Sequence, residues 1–212
     1  MNKIDKNKST PVMKQFWNIK DKNKDCIILF RMGDFYETFD EDAKISSEIL
    51  GITLTKRANG AAASVPLAGF PYHSLNQYLY KLLNSGYRVA ICEQVEDPKE
   101  SKGIVKRQVV EVLSPGAAIA ENFIDANNSN YLLSVYYENF KIGYSILDYS
   151  TGSFFTGESE IKFLSDIIRK YNVREILISE DQKSIFNLND ENIITTYPKW
   201  MSDYSSCYEK LI

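Results

Sequence analysis

The chain has 212 residues and a formal net charge of −3, with 44% hydrophobic and 25% charged residues. This composition is typical of a soluble globular protein and argues against intrinsic disorder. The length accommodates one large domain or two small ones, and the apolar runs are shorter than the roughly 18 residues that a membrane span needs. Residues 1–9 are polar, which predicts a disordered tail rather than a secretory signal.

The charge distribution and the spacing of the cysteines further restrict the class of protein. Residues 1–115 carry 17 Lys and Arg against 14 Asp and Glu, a net +3, and the remaining residues carry 8 against 14, a net −6. This difference in sign favours two units with different partners. The three cysteines lie far apart without metal spacing, which predicts buried reduced thiols in a cytosolic protein. Since His73 is the single histidine, we do not expect a zinc site.

The first part of the chain alternates helices and strands. The dipeptide Thr10-Pro11 is typical of a helix start, and the apolar spacing after it predicts a helix to about Lys20. The apolar run Cys26–Met32 then predicts a central strand. A second helix is expected after the acidic residues 40–42 and before Gly51.

Further along, small residues at 58–64 predict a mobile loop between short strands. Ser74 and Gln77 have the spacing of a capping box, which predicts a helix that ends at Gly86. The alternation makes residues 10–116 an α/β domain. The remaining segments of this domain are strands at 52–57, 65–68, 88–93 and 106–113 and a polar loop at 96–103.

Residues 117–130 have the composition of a linker, and a different pattern follows them. Three strands joined by short turns are expected first, and helices and strands alternate after them. This order is that of a ribonuclease-H-like sheet, which we predict for residues 131–212. The chain stops within a last expected helix, so we expect this domain to be truncated. The predicted segments are strands at 131–137, 141–149, 152–157, 175–179 and 193–196 and helices at 161–171 and 182–186.

The segment Arg31-Met-Gly-Asp-Phe-Tyr-Glu-Thr-Phe39 places a carboxylate between two aromatic rings. In an extended backbone Phe35, Glu37 and Phe39 share one side of the strand. A carboxylate on a core face costs free energy unless it has a partner. Two interpretations therefore stay open: this face is a working surface, or it is buried and Glu37 is paired.

Phe35 and Glu37 are the leading candidates for a functional site. Phe35 could act as a wedge in the minor groove, where a ring that unstacks two base pairs kinks the duplex at a cost of roughly a few kcal/mol. Such a wedge prefers DNA that a mispair has already weakened, and Glu37 would hydrogen-bond to the base beside the ring. The alternative is that Phe35 packs in a core and Glu37 lies at a surface edge.

Basic side chains occur at predicted strand ends and in loops near this segment. Lys and Arg in such places can contact phosphates and fix the register of a protein on DNA without reading sequence. The alternative is ordinary solvated surface charge. The set consists of Arg31, Lys56, Arg57, Lys102, Lys106 and Arg107.

Other candidate residues are weaker. His73 is interpreted as a turn-stabilising or partly buried histidine. Asp148 is similar in position to the strand-end acids that hold metal in ribonuclease-H-type nucleases, but two-ion catalysis needs several converging carboxylates. Matching acids do not recur at the other strand ends, so Asp148 is interpreted as a turn residue. The sequence contains no Gly-x-x-x-x-Gly-Lys-[Ser/Thr], hence no P-loop.

Taken together, these segments resemble the N-terminal part of the MutS family of DNA mismatch repair proteins. The most specific stretch is Phe30-Arg-Met-Gly-Asp-Phe-Tyr-Glu37, and the matching stretches follow the family order over about residues 10–116. Residues 131–212 resemble the start of the family's connector domain more loosely, through strand order and Tyr197-Pro-Lys-Trp200. The stretches in the first part are 10–13, 30–37, 54–57, 66–73, 89–94, 97–98, 101–103 and 109–116.

The resemblance implies a mixed-sheet mismatch-recognition domain with flanking helices, followed by a partial ribonuclease-H-like connector domain. In the family the Phe-x-Glu motif reads the mispair, and the motif is intact here as Phe35 and Glu37. The resemblance also implies contacts to the DNA backbone or groove by further residues. These are Arg31, Met32, Asp34, Lys56, Arg57, Leu67, Lys106 and Arg107.

The resemblance implies partners as well: duplex DNA with mispairs or small loops, and a MutL-type protein at the connector domain. Full-length family members use ATP and Mg and form dimers or tetramers. These 212 residues are expected to have no cofactor or enzymatic activity of their own, and to form a monomer in the bacterial cytoplasm. Two other functions stay open, a protein-interaction module with little DNA binding and a metal-dependent nuclease.

Overall fold

The structure is a computed structural model that describes residues 9–96, 103–116, 131–149, 151–186, 188 and 192–211. The chain divides into two compact units, residues 1–114 and 115–212. The linker predicted at 117–130 and most of the tail predicted at 1–9 lie outside the described residues. Within the described part, no helix is long and apolar enough to cross a membrane.

The first unit is a six-stranded mixed sheet in the order β3-β4-β2-β1-β5-β6. β1 lies in the interior of this sheet, antiparallel to β2 and parallel to β5, as its continuous apolar sequence predicts. The strands are β1 (Cys26–Met32), β2 (Phe35–Phe39), β3 (Thr55–Asn59), β4 (Ala62–Pro71), β5 (Arg88–Gln94) and β6 (Arg107–Leu113). The helices are α1 (Pro11–Lys22), α2 (Glu41–Leu50) and α3 (Leu75–Asn84).

Helix α1 covers part of one face of this sheet. It starts where the sequence predicts, since the Thr10 hydroxyl accepts a hydrogen bond from the Met13 amide and Pro11 occupies the first turn. Phe16 lies within 6 Å of the rings of both Phe30 and Phe39 in edge-to-face contacts. On the other face, Tyr78 of α3 packs against Phe70.

The second unit is a five-stranded mixed sheet in the order β11-β10-β7-β8-β9. β7, β8 and β9 form an antiparallel meander, whereas β10 runs parallel to both β7 and β11. This order confirms the sheet predicted from the sequence of elements. The elements are β7 (Tyr131–Glu138), β8 (Lys141–Asp148), β9 (Ser153–Glu160), α4 (Leu164–Tyr171), β10 (Val173–Ser179), β11 (Ile193–Tyr197) and α5 (Tyr204–Leu211).

The prediction of a mobile loop at 58–64 is wrong, because these residues belong to a β-hairpin. β3 and β4 pair antiparallel around a tight turn in which Gly60 has φ +62°, with Asn59 opposite Ala62. Small side chains show little alternation between faces, so the sequence pattern contains no strand signal here. Pairing with β2 extends β4 to ten residues.

The predicted capping box is also wrong. Ser74 precedes α3 but its side chain makes no capping hydrogen bond, because a 3₁₀ turn over Tyr72–Ser74 leads directly into the helix. A capping side chain needs an extended backbone, whereas Ser74 has φ −93° and ψ 10°. The helix ends at Asn84, and Gly86 follows with φ +89°. The short helix predicted at 182–186 is instead a 3₁₀ turn over Glu180–Gln182.

Candidate nucleic-acid interface

Phe35 lies at the tip of a tight hairpin. β1 and β2 are joined by the two-residue turn of Gly33 and Asp34, with Met32 paired opposite Phe35. Gly33 has φ +59°, a conformation that favours glycine. The Phe35 residue is 46% exposed, so its ring is presented to solvent from a strand that is otherwise mostly buried.

The side chain of Glu37 is paired and largely shielded from water. Arg57 Nη1 lies 2.8 Å from Glu37 Oε2, and the Glu37 side chain is 19% exposed. Burial raises the pKa of Glu37, and this effect outweighs the nearby guanidinium groups of Arg57 and Arg107, which lower it. The carboxylate therefore has a partner and is still poorly solvated.

Gly69 makes room for Glu37 on the neighbouring strand. The two residues are directly paired between β2 and β4. A Cβ atom on Gly69 would lie 2.9 Å from the Tyr36 carbonyl oxygen and 3.4 Å from Glu37 Cγ. A glycine within a strand often marks such a close approach.

The sheet face that carries Phe35 changes from exposed to buried along β2. Phe35 is exposed, Glu37 is half-buried, and Phe39 is buried against α1. Met32 and Leu67 are partly buried and pack against this core. Glu37 is therefore paired, as the second interpretation predicts, while the outer part of the face is exposed and its inner part is core.

Arg107 is buried and its donors point to backbone oxygens. Its Nε donates to the Arg31 carbonyl at 2.6 Å and its Nη1 to the Val105 carbonyl at 2.8 Å. The guanidinium also lies 5.1 Å from the centre of the Phe30 ring. Burial lowers the pKa of Arg107. Arg107, which was predicted to contact phosphate, thus makes its contacts within the protein.

Arg31 is engaged in the same hairpin. Its Nε donates to the Gly33 carbonyl at 2.5 Å, and its guanidinium stacks 4.0 Å from the centre of the Tyr72 ring. The Tyr72 amide in turn donates to the Asp34 carbonyl at 2.8 Å. Asp34 itself is exposed in the turn.

The lysines predicted near DNA are exposed. Lys56 precedes Arg57 on β3, so its side chain leaves the opposite face of the strand, and Lys106 lies just before β6. Lys102 lies outside the described residues. The structure therefore brings Phe35, Glu37 and Arg57 together on one face and leaves Lys56 apart from them.

Of two further candidates, His73 occupies a turn, whereas Asp148 belongs to strand β8, so the interpretation of Asp148 as a turn residue is wrong. His73 is exposed in the 3₁₀ turn before α3 and makes an edge contact with the Tyr72 ring. Asp148 is the buried last residue of β8, and its carbonyl accepts from the Gly152 amide at 2.8 Å. Among the described residues, no group of three or more His, Cys, Asp or Glu side chains could hold a metal ion.

Sequence reasoning assigned no role to three residues that shape the site. Gly69 and Tyr72 fall within the stretch 66–73, which carried part of the family resemblance. Tyr36 donates to the Glu93 carboxylate from the opposite face of β2, and burial together with this bond raises the pKa of Tyr36 to about 12. A lone glycine in a strand pattern was the one available signal.

The second unit carries an open groove lined by aromatic side chains. Its volume is about 1050 Å³, and its walls include Tyr136, Trp200 and Tyr204. Trp200 and Tyr204 are 69% and 78% exposed. The ring of Tyr204 stacks on that of Tyr208 with 5.9 Å between centres.

Comparison with known proteins assigns the family. Residues 10–122 match the family model described as MutS domain I, and residues 130–212 match that described as MutS domain II. The DNA mismatch repair protein MutS of Phocaeicola vulgatus is 45% identical over 205 residues, which cover 96% of this chain and 24% of that protein.

Two other relatives give a similar result. The DNA mismatch repair protein MutS of Porphyromonas gingivalis is 49% identical over 178 residues, covering 84% of this chain and 20% of that protein. The protein of the same name in Flavobacterium johnsoniae is 49% identical over 179 residues, covering 84% and 21%. The chain thus spans about a fifth to a quarter of the length of the curated relatives it matches. Because its two parts match domains I and II in order, the chain belongs to the MutS family.

Proposed function

We propose that this chain recognises mispaired or unpaired bases in duplex DNA, as part of DNA mismatch repair. The observation that carries the proposal is the exposed ring of Phe35 at the tip of a two-residue hairpin, next to the half-buried Glu37. The matched domain I and the names of the relatives support the same role.

In the proposed mechanism, recognition depends on how easily the duplex deforms. Exposed Lys106 contacts phosphates and helps to hold the duplex, while Phe35 enters the base stack from the minor groove. Opening one step of the stack costs roughly a few kcal/mol, and this cost is lower where pairing is already imperfect. The ring therefore enters at a mispair and is rejected by matched DNA.

Glu37 adds a hydrogen bond at the base beside the ring. Burial already raises the pKa of this carboxyl in the free protein. The field of nearby phosphates favours the neutral form further. A neutral carboxyl donates a hydrogen bond to a base acceptor, so we propose that Glu37 takes up a proton when DNA binds.

The test is a binding measurement on a labelled duplex with one G·T mispair or one unpaired T, against the matched duplex, at low and moderate salt. Phe35→Ala is expected to remove the preference for the lesion. Phe154→Ala serves as the matched control, since this ring is 57% exposed in the second unit, and its preference should equal that of the wild type. Preference that survives in Phe35→Ala would refute the wedge role.

The aromatic groove of the second unit favours a second function, docking of a partner protein such as MutL. Exposed Trp and Tyr side chains in a concave site are typical of interaction hot spots. Trp200→Ala is expected to weaken capture of purified MutL by this chain, whereas Phe163→Ala, an exposed ring outside the groove, leaves it unchanged. Equal capture by both variants would remove this proposal.

We assign ATP, Mg and assembly into dimers or tetramers to parts of the family proteins other than this chain. The absence of a P-loop from these 212 residues supports this assignment for ATP. The chain is then a monomer without ATPase activity. Sedimentation equilibrium and an ATPase assay with DNA test the two statements, and a stable dimer or turnover would contradict them.

A further inference from the structure

The hairpin that carries Phe35 is held in place by hydrogen bonds to its turn. Its turn exposes two backbone carbonyls, those of Gly33 and Asp34. Arg31 Nε occupies the first at 2.5 Å, and the Tyr72 amide occupies the second at 2.8 Å. Each carbonyl of the turn therefore has a donor, and the two donors come from different elements.

The two donors are themselves joined. The Arg31 guanidinium lies 4.0 Å from the centre of the Tyr72 ring, which is within the range of cation–π stacking. Arg31, Tyr72 and the turn thus form a closed circuit of contacts. The Arg31 carbonyl accepts from Arg107 Nε at 2.6 Å, which fixes the end of β1 from which the circuit starts.

The circuit lies on the sheet face opposite to Phe35. Arg31 pairs with Tyr36, whereas Met32 pairs with Phe35, and paired residues share a face. The guanidinium is also 5.5 Å from the centre of the Tyr36 ring. DNA that is bound by the ring of Phe35 would contact the face of the hairpin that carries Phe35, and not the face that carries Arg31.

We propose that Arg31, stacked on Tyr72, is a positioning residue that holds the Gly33–Asp34 turn and thereby the ring of Phe35, and that it is not a phosphate ligand. The inference rests on the proposed function. A wedge that is fixed before it meets DNA loses less conformational freedom on insertion. The turn contacts are therefore specificity determinants, although they lie away from the base.

The chemistry of arginine makes the proposal testable by a conservative change. A planar guanidinium can stack on a ring and donate from Nε at the same time, whereas a lysine ammonium is a compact point charge. Arg31→Lys keeps the charge that a phosphate needs and loses the stack. Tyr72→Leu loses the stack from the other side, and Tyr72→Phe keeps it as the matched control.

The binding experiment compares lesion and matched duplexes over a series of salt concentrations for these variants and for Arg31→Ala. We expect Arg31→Lys and Tyr72→Leu to lower the preference for the lesion by roughly threefold to tenfold, the effect of about one lost hydrogen bond. Tyr72→Phe should match the wild type. The slope of log K against log salt should be unchanged in Arg31→Ala, because a lost phosphate contact would lower its magnitude by about 0.9.

A second readout without DNA keeps the inference separate from the proposed function. Hydrogen exchange at the Tyr72 amide, measured by NMR, should be faster by roughly threefold to tenfold in Arg31→Lys and Tyr72→Leu. If Phe35→Ala retains the lesion preference, the proposed function fails and the exchange rates alone decide the inference. Unchanged exchange in both variants, or a reduced salt slope in Arg31→Ala, would overturn it.

Discussion

Arg57 Nη1 and Glu37 Oε2 are 2.8 Å apart, with the two side chains 30% and 19% exposed. The pair joins β3 to β2 across the intervening strand β4, on the sheet face that carries the exposed ring of Phe35. Arg57 also lies 5.8 Å from the centre of the Phe39 ring. The counter-charge of Glu37 therefore comes from the edge strand β3 rather than from the core.

The first prediction concerns coupling between these two residues. Arg57→Met leaves the Glu37 carboxylate shielded and without its partner, so we expect a loss of about 1–2 kcal/mol in the free energy of unfolding. Glu37→Gln in the same chain should recover most of this loss, because the neutral amide needs no counter-charge. Urea unfolding of both single variants and the double variant measures the coupling, and strictly additive effects would contradict it.

The second prediction concerns the pH dependence of stability. The folded-state pKa of Glu37 lies above its ordinary value of 4.5, so above this pH the folded state binds more protons than the unfolded state. Stability from this group therefore falls as pH rises through the window between the two pKa values. Glu37→Gln lacks this contribution, so its stability relative to the wild type should increase across that window. Parallel profiles for the two proteins would rule out the shift.

The third prediction concerns DNA binding and pH. If Glu37 gains a proton in the complex, affinity for a lesion duplex falls as pH rises, because proton uptake then opposes binding. Glu37→Gln should show a flatter profile, since it has no proton to gain. Fluorescence anisotropy over a series of pH values at which both proteins stay folded makes the comparison. An equal pH dependence in both proteins would show that another group is responsible.

The fourth prediction concerns Gly69. A methyl group at this position would lie 2.9 Å from the Tyr36 carbonyl oxygen, so Gly69→Ala should destabilise the first unit by about 1–3 kcal/mol. Gly143→Ala is the matched control, because Gly143 also lies in a strand and a Cβ there meets no atom within 4 Å. The control should be neutral or slightly stabilising. Thermal unfolding of both variants separates the two cases, and equal midpoints would contradict the crowding.

Sequence patterns predicted the elements that have strong local signals. The continuous apolar run of β1 and the Thr10-Pro11 start of α1 each depend on nearby residues, and both were confirmed. The hairpin over 58–64 depends on pairing between β3 and β4, which the small side chains of this segment do not signal locally. Ser74 is the opposite case: its local motif predicts a capping box, but the 3₁₀ turn before the helix prevents the capping hydrogen bond.

The same distinction applies to the candidate site. Alternation along β2 correctly placed Phe35, Glu37 and Phe39 on one face. The partner of Glu37 could not be predicted, because Arg57 approaches it through the register of two other strand pairs. Arg31 and Arg107 belong to the basic set predicted to contact phosphates. Arg107 instead donates to the Arg31 carbonyl, which becomes its neighbour only in the folded sheet, and Arg31 donates to the Gly33 carbonyl of its own hairpin turn.

The two-residue length of the turn between β1 and β2 limits how this region can be altered by insertion or deletion. One extra residue between Met32 and Phe35 would shift β2 by one position, and every side chain of the strand would change face. Tyr36 and Thr38 would then point toward α1, and Glu37 would lose Arg57 and meet the layer of α3. The length of this turn is therefore part of what places Phe35 and Glu37 on their face of the sheet.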